Sequence, residues 1–164
     1  LSHSSAASDV YKRQVRASAL ASDPYTDRDL VMPDVNACTR IAVKQAYEQA
    51  GLGAEDINLV ELHDCFATAE MLHYENLGLC KDGDAGKMID DGDVELGGRI
   101  PVNVSGGLLS KGHPLGATGI ANIYEICTHL RGEAGERQVE GAKIGMTHVI
   151  GLGTACAIHI LEKV

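Results

Sequence analysis

The spacing of hydrophobic and polar residues predicts the elements in the first third of the chain. From Val15 to Ser22 every second residue is Val or Ala, which predicts a strand, and Asp23-Pro24 ends it. Asp34 is a good helix N-cap, and apolar residues then recur at three and four positions as far as the C-cap candidate Gly51. This segment is therefore predicted to be an amphipathic helix of about four turns.

A buried strand and a second helix are predicted next. The segment INLVEL (57–62) is short and apolar with one interior carboxylate, which is typical of a buried strand. A helix-like pattern runs from Phe66 to Leu77. Residues 81–99 carry six acidic side chains and five glycines and are predicted to form a solvated loop or excursion.

The last third of the chain returns to apolar segments. Residues 102–119 are rich in glycine and lead into a helix from about Ile120 to Gly132. Two apolar runs, 143–150 and 154–161, flank Gly151-Leu152-Gly153 and predict a hairpin. Strands that alternate with helices before a closing hairpin indicate an α/β fold, a layered domain with a mixed sheet.

Composition and charge limit the classes of protein. The 164 residues are 45% hydrophobic and 23% charged, which suits one globular domain over residues 15–164. Residues 1–14 are rich in Ser and Ala and are expected to be a disordered tail or a remnant of cloning or sequencing. A net charge of −9 favours neither nucleic acid nor an anionic membrane as a partner. The uncharged stretch 144–161 contains His, Thr and Gly, so the hairpin explains it better than a membrane span.

The cysteines indicate a reducing compartment. The chain has five cysteines, an odd number with no CxxC pair, and is too large to need disulfide staples. We expect reduced thiols, with Cys38, Cys127 and Cys156 in the core. The final residues Glu162-Lys163-Val164 differ from a peroxisomal signal, so the cytoplasm is the expected location.

The first candidate for chemistry is His63-Asp64-Cys65, between the predicted strand and helix. Ligands of α/β folds bind at such strand ends, and a thiol at a helix N-terminus can act as an acid or base. In extended chain His63 and Cys65 would point to one pocket. An equally open alternative is that His63 and Asp64 cap the helix while Cys65 is a small buried hydrophobe.

The second candidate is Gly112-His113-Pro114. Glycine permits close approach of the backbone to a substrate, and Pro114 directs the chain away from His113. A helix starting near Leu115 would keep the imidazole neutral and able to accept a proton. A plain surface loop is the alternative. The glycine pattern matches neither GxGxxG nor GxxxxGK[ST], so a nucleotide site is not supported.

A zinc site is not expected. His63, Cys65, His73 and Cys80 have suitable chemistry, but their spacing matches no standard zinc arrangement. His73 is predicted to lie on the polar face of its helix. The other histidines outside the two motifs, His129, His148 and His159, are expected to be structural.

One Cys and two His in such segments suggest either acyl transfer at a thioester or a cysteine hydrolase. Three segments in this order resolve the choice by resemblance: HDCFATAEMLHYENLGLC (63–80), NVSGGLLSKGHPLGATG (103–119) and LRGEAGERQVEGAK (130–143). From Val15 to Val164 the chain resembles the C-terminal half of thiolases of the sterol carrier protein x, or lipid-transfer protein, type. The resemblance implies the five-layered αβαβα thiolase fold, of which this chain supplies one mixed-sheet half.

The resemblance also implies an activity and roles for particular residues. Thiolases cleave 3-oxoacyl-CoA with coenzyme A as a substrate, or run the reverse condensation, without a further cofactor. His113 would activate a nucleophilic cysteine and, with His63, bind the thioester oxygen. Cys65 would be the acid/base at the α-carbon, because Val149 stands where many thiolases have the Cys of a CxG motif. The Gly151 N–H would be an oxyanion donor.

The resemblance leaves three hypotheses open. No cysteine here has the context of the thiolase nucleophile, so the first is a thiolase half that needs its missing N-terminal half and forms a homodimer or tetramer only when whole. The second is a thiolase-like aldolase acting on sterol side-chain CoA esters, which needs no acyl-enzyme cysteine. The third is a non-catalytic binding subunit. Part of the hydrophobic content is expected to form an exposed apolar face opposite residues 81–99.

Overall fold

The computed structural model describes residues 13–22 and 34–164, which contain one mixed four-stranded sheet. Its strands are β1 (Arg13–Ser22), β2 (Leu59–Glu61), β3 (Ile144–Gly151) and β4 (Ala155–Lys163). Their order across the sheet is β1-β4-β3-β2. β4 is antiparallel to β1 and β3, while β2 is parallel to β3. The predicted mixed sheet and the closing hairpin are confirmed.

Helices cover both faces of this sheet. They are α1 (Val35–Ala50), α2 (Ala67–Asn76), α3 (Ala85–Asp90), α4 (Gly107–Lys111) and α5 (Thr118–Arg131). Neighbouring strand residues belong to different hydrophobic clusters: Ile160 packs with α1, whereas Leu161 packs with α5. Because successive side chains of a strand point to opposite faces, α1 and α5 lie on opposite sides of the sheet. The described chain is therefore a three-layered α/β/α unit.

The first helix forms as its sequence predicts. The Asp34 side chain accepts a hydrogen bond from the Ala37 N–H at 2.9 Å, which satisfies one of the unpaired amides of the first turn. Gly51 ends the helix in the left-handed conformation at φ 67°, and its N–H donates to the Tyr47 carbonyl. Small apolar side chains, including Ala42 and Ala46, are fully buried against the sheet.

Some boundaries differ from the sequence prediction. β1 begins at Arg13, two residues before the expected start, and its register with β4 shifts between Val15 and Ala17. β2 has only three residues, because the chain leaves the sheet after Glu61. The expected break at Asp23-Pro24 and residues 1–12 lie outside the described residues, so the tail remains a prediction.

The glycine-rich segments contain helices that the sequence did not indicate. The prediction of a solvated loop over residues 81–99 is wrong for α3, whose Ala85 and Met88 are buried in the main core. Amphipathic periodicity cannot be detected in a helix of six residues. The same holds for α4, a five-residue helix that lies inside the glycine-rich segment before His113.

The cysteines and the apolar stretches behave largely as expected. Cys38 and Cys156 are buried. Cys127 is half-buried and packs against the hydrophobic cluster that includes α5, and none of the five cysteines is in a disulfide. The stretch 144–161 forms the hairpin β3–β4. Within residues 13–22 and 34–164, no helix has the length and hydrophobicity needed to cross a membrane.

Candidate active site

The four residues predicted to carry the chemistry line one cleft of about 1390 Å³: His63, Cys65, His113 and Gly151. His63 and Cys65 follow the carboxyl end of β2, and Gly151 ends β3. Because these two strands are parallel and adjacent, their carboxyl ends reach the same edge of the sheet. His113 arrives there from the glycine-rich segment that precedes α5.

The two histidine rings meet in this cleft. The ring centroids of His63 and His113 are 4.7 Å apart, with an interplanar angle of 87°. His63 is buried, and burial is the main cause that lowers its pKa; the nearby His113 lowers it further, whereas Asp64 raises it. A histidine whose pKa lies below its ordinary value is neutral at pH 7.

A threonine fixes the orientation of the exposed His113. The Nδ1 atom of His113 lies 2.7 Å from the Thr118 hydroxyl oxygen, and that hydroxyl donates to the Pro114 carbonyl at 3.3 Å. In the tautomer whose Nδ1–H donates to this hydroxyl, the lone pair of the His113 ring lies on Nε2. α5 begins at Thr118 rather than near Leu115.

Asp64 caps α4, whereas the alternative interpretation had it cap α2. Its buried carboxylate accepts hydrogen bonds from the backbone N–H groups of Leu108 at 2.7 Å and Leu109 at 3.5 Å, at the start of α4. The N-cap residue of α2 is Phe66, which provides no side-chain bond. Cys65 is exposed, which contradicts the alternative of a small buried hydrophobe.

Glu61 is a second anchor of the glycine-rich segment, and sequence reasoning missed its role. Its carboxylate is 1% exposed and accepts hydrogen bonds from the Ser105 N–H at 3.1 Å and the Ser105 hydroxyl at 2.5 Å. Lys111 Nζ lies 3.5 Å from a carboxylate oxygen of Glu61. Burial raises the pKa of Glu61, while Ser105 and Lys111 oppose that shift. The only sequence signal was the interior carboxylate of the buried strand.

Two further histidines lie behind His63. His73 is 2% exposed, so its predicted position on a polar helix face is wrong, and its ring centroid is 4.1 Å from that of His148. His148 is fully buried, and its Nδ1 accepts a hydrogen bond from the His63 backbone N–H at 3.3 Å. Burial lowers the pKa of His73 to about 4 and that of His148 well below its ordinary value.

The rim of the cleft is strongly apolar. Leu115 and Leu152, which line it, are 81% and 91% exposed, and Phe66 is 70% exposed. Leu152 follows β3 at a positive φ of 52°, and the Gly151 carbonyl before it accepts from the Thr154 N–H at 3.0 Å. This rim is therefore an exposed apolar surface, while the expected apolar face opposite residues 81–99 stays a prediction.

The structure offers no arrangement for a metal in its described part. Within residues 13–22 and 34–164 no three His, Cys, Asp or Glu side chains are grouped so that they could hold a metal ion. Of the four residues considered for zinc, His63, Cys65 and His73 line the cleft and Cys80 does not. Imidazoles and a thiol at a cleft suit proton transfer and hydrogen bonding to an oxygen that gains negative charge.

Comparison with known proteins gives relatives of similar sequence. The chain is 55% identical over 119 residues to "Sterol carrier protein 2" of Rattus norvegicus, a match covering 73% of this chain and 22% of that protein. It is 48% identical over 153 residues to "Acetyl-CoA acetyltransferase" of Methanothermobacter thermautotrophicus, covering 91% of this chain and 39% of that one. The chain thus spans well under half the length of these relatives.

A solved structure shares the fold. The "Ltp2-ChsH2(DUF35) aldolase" superimposes with a TM-score of 0.76 at 27% identity, covering 92% of this chain and 39% of the other. The family described as "Thiolase C-terminal domain-like" matches residues 25–163, which includes every element from α1 to β4. The chain therefore belongs to the thiolase C-terminal domain-like family.

Proposed function

We propose that this chain is the C-terminal part of a thiolase that cleaves 3-oxoacyl-CoA with coenzyme A, or runs the reverse condensation. The observation that supports this most is the meeting of His63, Cys65 and His113 at one cleft edge, reached from separate segments. The nucleophilic cysteine would come from an N-terminal half outside these residues, and whole subunits would pair as dimers or tetramers.

His113 would act first. Its Nε2 lone pair, left free by the bond between Nδ1 and Thr118, accepts the proton of the incoming nucleophile. The imidazolium so formed can then donate to the thioester oxygen. The neutral His63 ring beside it is a second donor, and each preorganised donor of this kind contributes about 3 kcal/mol to a transition state. The Gly151 N–H, which lines the same cleft, is proposed as an oxyanion donor.

Cys65 would move the proton at the α-carbon. It is exposed in the cleft, two residues from His63, and Val149 leaves no competing thiol at the end of β3. Positioned acid/base groups contribute about 10²- to 10⁴-fold to a rate. The proposed substrates are coenzyme A and acyl-CoA, and no further cofactor is proposed. The cytoplasm is the proposed location.

The test uses the full-length protein that contains this chain. We expect wild type to cleave acetoacetyl-CoA, and Cys65→Ala or His113→Ala to lose at least about 100-fold in kcat. The matched control is Cys127→Ala, a half-buried cysteine outside the cleft, which should keep its activity. Full activity in Cys65→Ala would remove that residue from the mechanism.

The structural likeness to an aldolase supports a second candidate, a thiolase-like aldolase for sterol side-chain CoA esters. A thiolase forms an acyl-enzyme, whereas this reaction needs none. Mass spectrometry of the full-length protein after incubation with acyl-CoA separates the two, since only the thiolase gains the mass of the acyl group. If neither activity is found and Cys65 reacts with iodoacetamide no faster than Cys127, the chain is a non-catalytic subunit.

A further inference from the structure

The chain leaves the sheet immediately before the HDC motif, and side chains take over the hydrogen bonds that the sheet would provide. β2 pairs with β3 only as far as Glu61, opposite Thr147. Beyond it, the Leu62 N–H donates to the Asn103 side-chain oxygen at 2.8 Å, and the His63 N–H donates to His148 Nδ1 at 3.3 Å. Buried amides need such partners, so these two side chains stabilise the departure of the backbone toward the cleft.

His148 is well placed for this role because it follows Thr147 directly in β3. β3 continues alongside β4 to Gly151 after β2 has ended. His148 is therefore the first residue of β3 beyond the last pair that β3 forms with β2. Its contact with the His73 ring at 4.1 Å covers it from the side of α2.

The hydrogen bond sets the protonation of His148. A neutral imidazole that accepts at Nδ1 carries its proton on Nε2. A protonated ring would present an N–H to the His63 N–H, which would break the bond. The ring is fully buried, and burial lowers its pKa, so the accepting form is maintained at neutral pH.

We propose that His148 is a positioning residue: its Nδ1 holds the backbone of His63 so that the His63 ring meets His113 across the cleft. The proposal rests on the proposed function, in which His63 and His113 donate hydrogen bonds to the thioester oxygen. His148 itself touches no reacting atom. A displacement of His63 by about 1 Å would lower the rate without weakening substrate binding in proportion, and such errors can cost about 100-fold.

The test compares substitutions that differ in one acceptor atom. In the full-length protein, His148→Asn keeps an oxygen on the same carbon that bears Nδ1, whereas His148→Phe keeps an aromatic ring, slightly larger, without an acceptor. We expect His148→Phe to lower kcat by about 10- to 100-fold with little change in KM, and His148→Asn to restore most of kcat. If His148→Phe does not fold, His148→Gln replaces it, because its acceptor lies one bond further out.

The outcomes separate this proposal from the proposed function. If His148→Asn has the same kcat as His148→Phe, or as His148→Gln where that variant replaces it, the positioning role is wrong. It is also wrong if both variants keep the wild-type kcat. If wild type itself has no thiolase or aldolase activity, the proposed function fails. Positioning is then read from amide hydrogen exchange at His63, which should be faster in His148→Phe than in His148→Asn. The same exchange rate in both would refute it.

Discussion

Gly107 should be the least replaceable glycine around the cleft. It is the first residue of α4 and has φ 61°, and a Cβ placed on it would lie 2.0 Å from an Asp64 carboxylate oxygen. Asp64 cannot turn aside without cost, because the same carboxylate accepts from the Leu108 N–H at 2.7 Å. Gly107→Ala therefore pushes the Asp64 carboxylate away from the start of α4.

The expected loss of stability has two parts. A left-handed backbone costs a residue with a Cβ about 1–2 kcal/mol. Forcing extra atoms into a packed site costs about 1–3 kcal/mol more. We therefore expect Gly107→Ala to lower the free energy of unfolding by about 2–5 kcal/mol.

Gly51→Ala is the matched control for this experiment. Gly51 has a similar φ of 67°, but a Cβ there would meet no atom within 4 Å. Its substitution should cost only the backbone part, about 1–2 kcal/mol. Urea denaturation of wild type and both variants in one background measures the difference. Equal losses for the two glycines would show that contact with Asp64 does not constrain this segment.

Three further predictions concern the histidines and the rim. Thr118→Val removes the partner of His113 Nδ1 and should lower kcat about twofold to tenfold, the value of one hydrogen bond, in an acetoacetyl-CoA assay; unchanged kcat would refute the role of this bond. The pKa of His73 is about 4 when folded and 6.5 ordinarily, so the unfolded chain binds more protons between these values and stability falls as pH drops through that window. His73→Asn should reduce this slope by up to about 1.4 kcal/mol per pH unit in urea titrations at pH 5, 6 and 7, whereas an unchanged slope would contradict the assignment. Finally, the chain produced alone should self-associate through its exposed rim, and Leu115→Lys with Leu152→Lys should reduce the association seen by light scattering; a monodisperse wild-type monomer would argue against it.

Local sequence signals predicted much of the fold. The spacing between Asp34 and Gly51 specified a capped helix because both caps act on backbone groups within one turn. Alternation and two apolar runs located β1 and the hairpin, since those patterns reflect which side of a sheet each residue faces. The short helices α3 and α4 were not predicted because they are stabilised by burial and by Asp64 rather than by their own periodicity.

The sequence alone determined which residues could do chemistry, and the tertiary structure decided how they are arranged. Residues 63–65 and His113 could be selected from their neighbours in the chain. The contact between His63 and His113, separated by 50 positions, depends on parallel pairing of β2 with β3 and on the anchors Glu61 and Asp64. His148 had no signal of its own, because its importance comes from a backbone amide 85 residues away. Contacts at such separations result from packing of the whole domain, which no local pattern encodes.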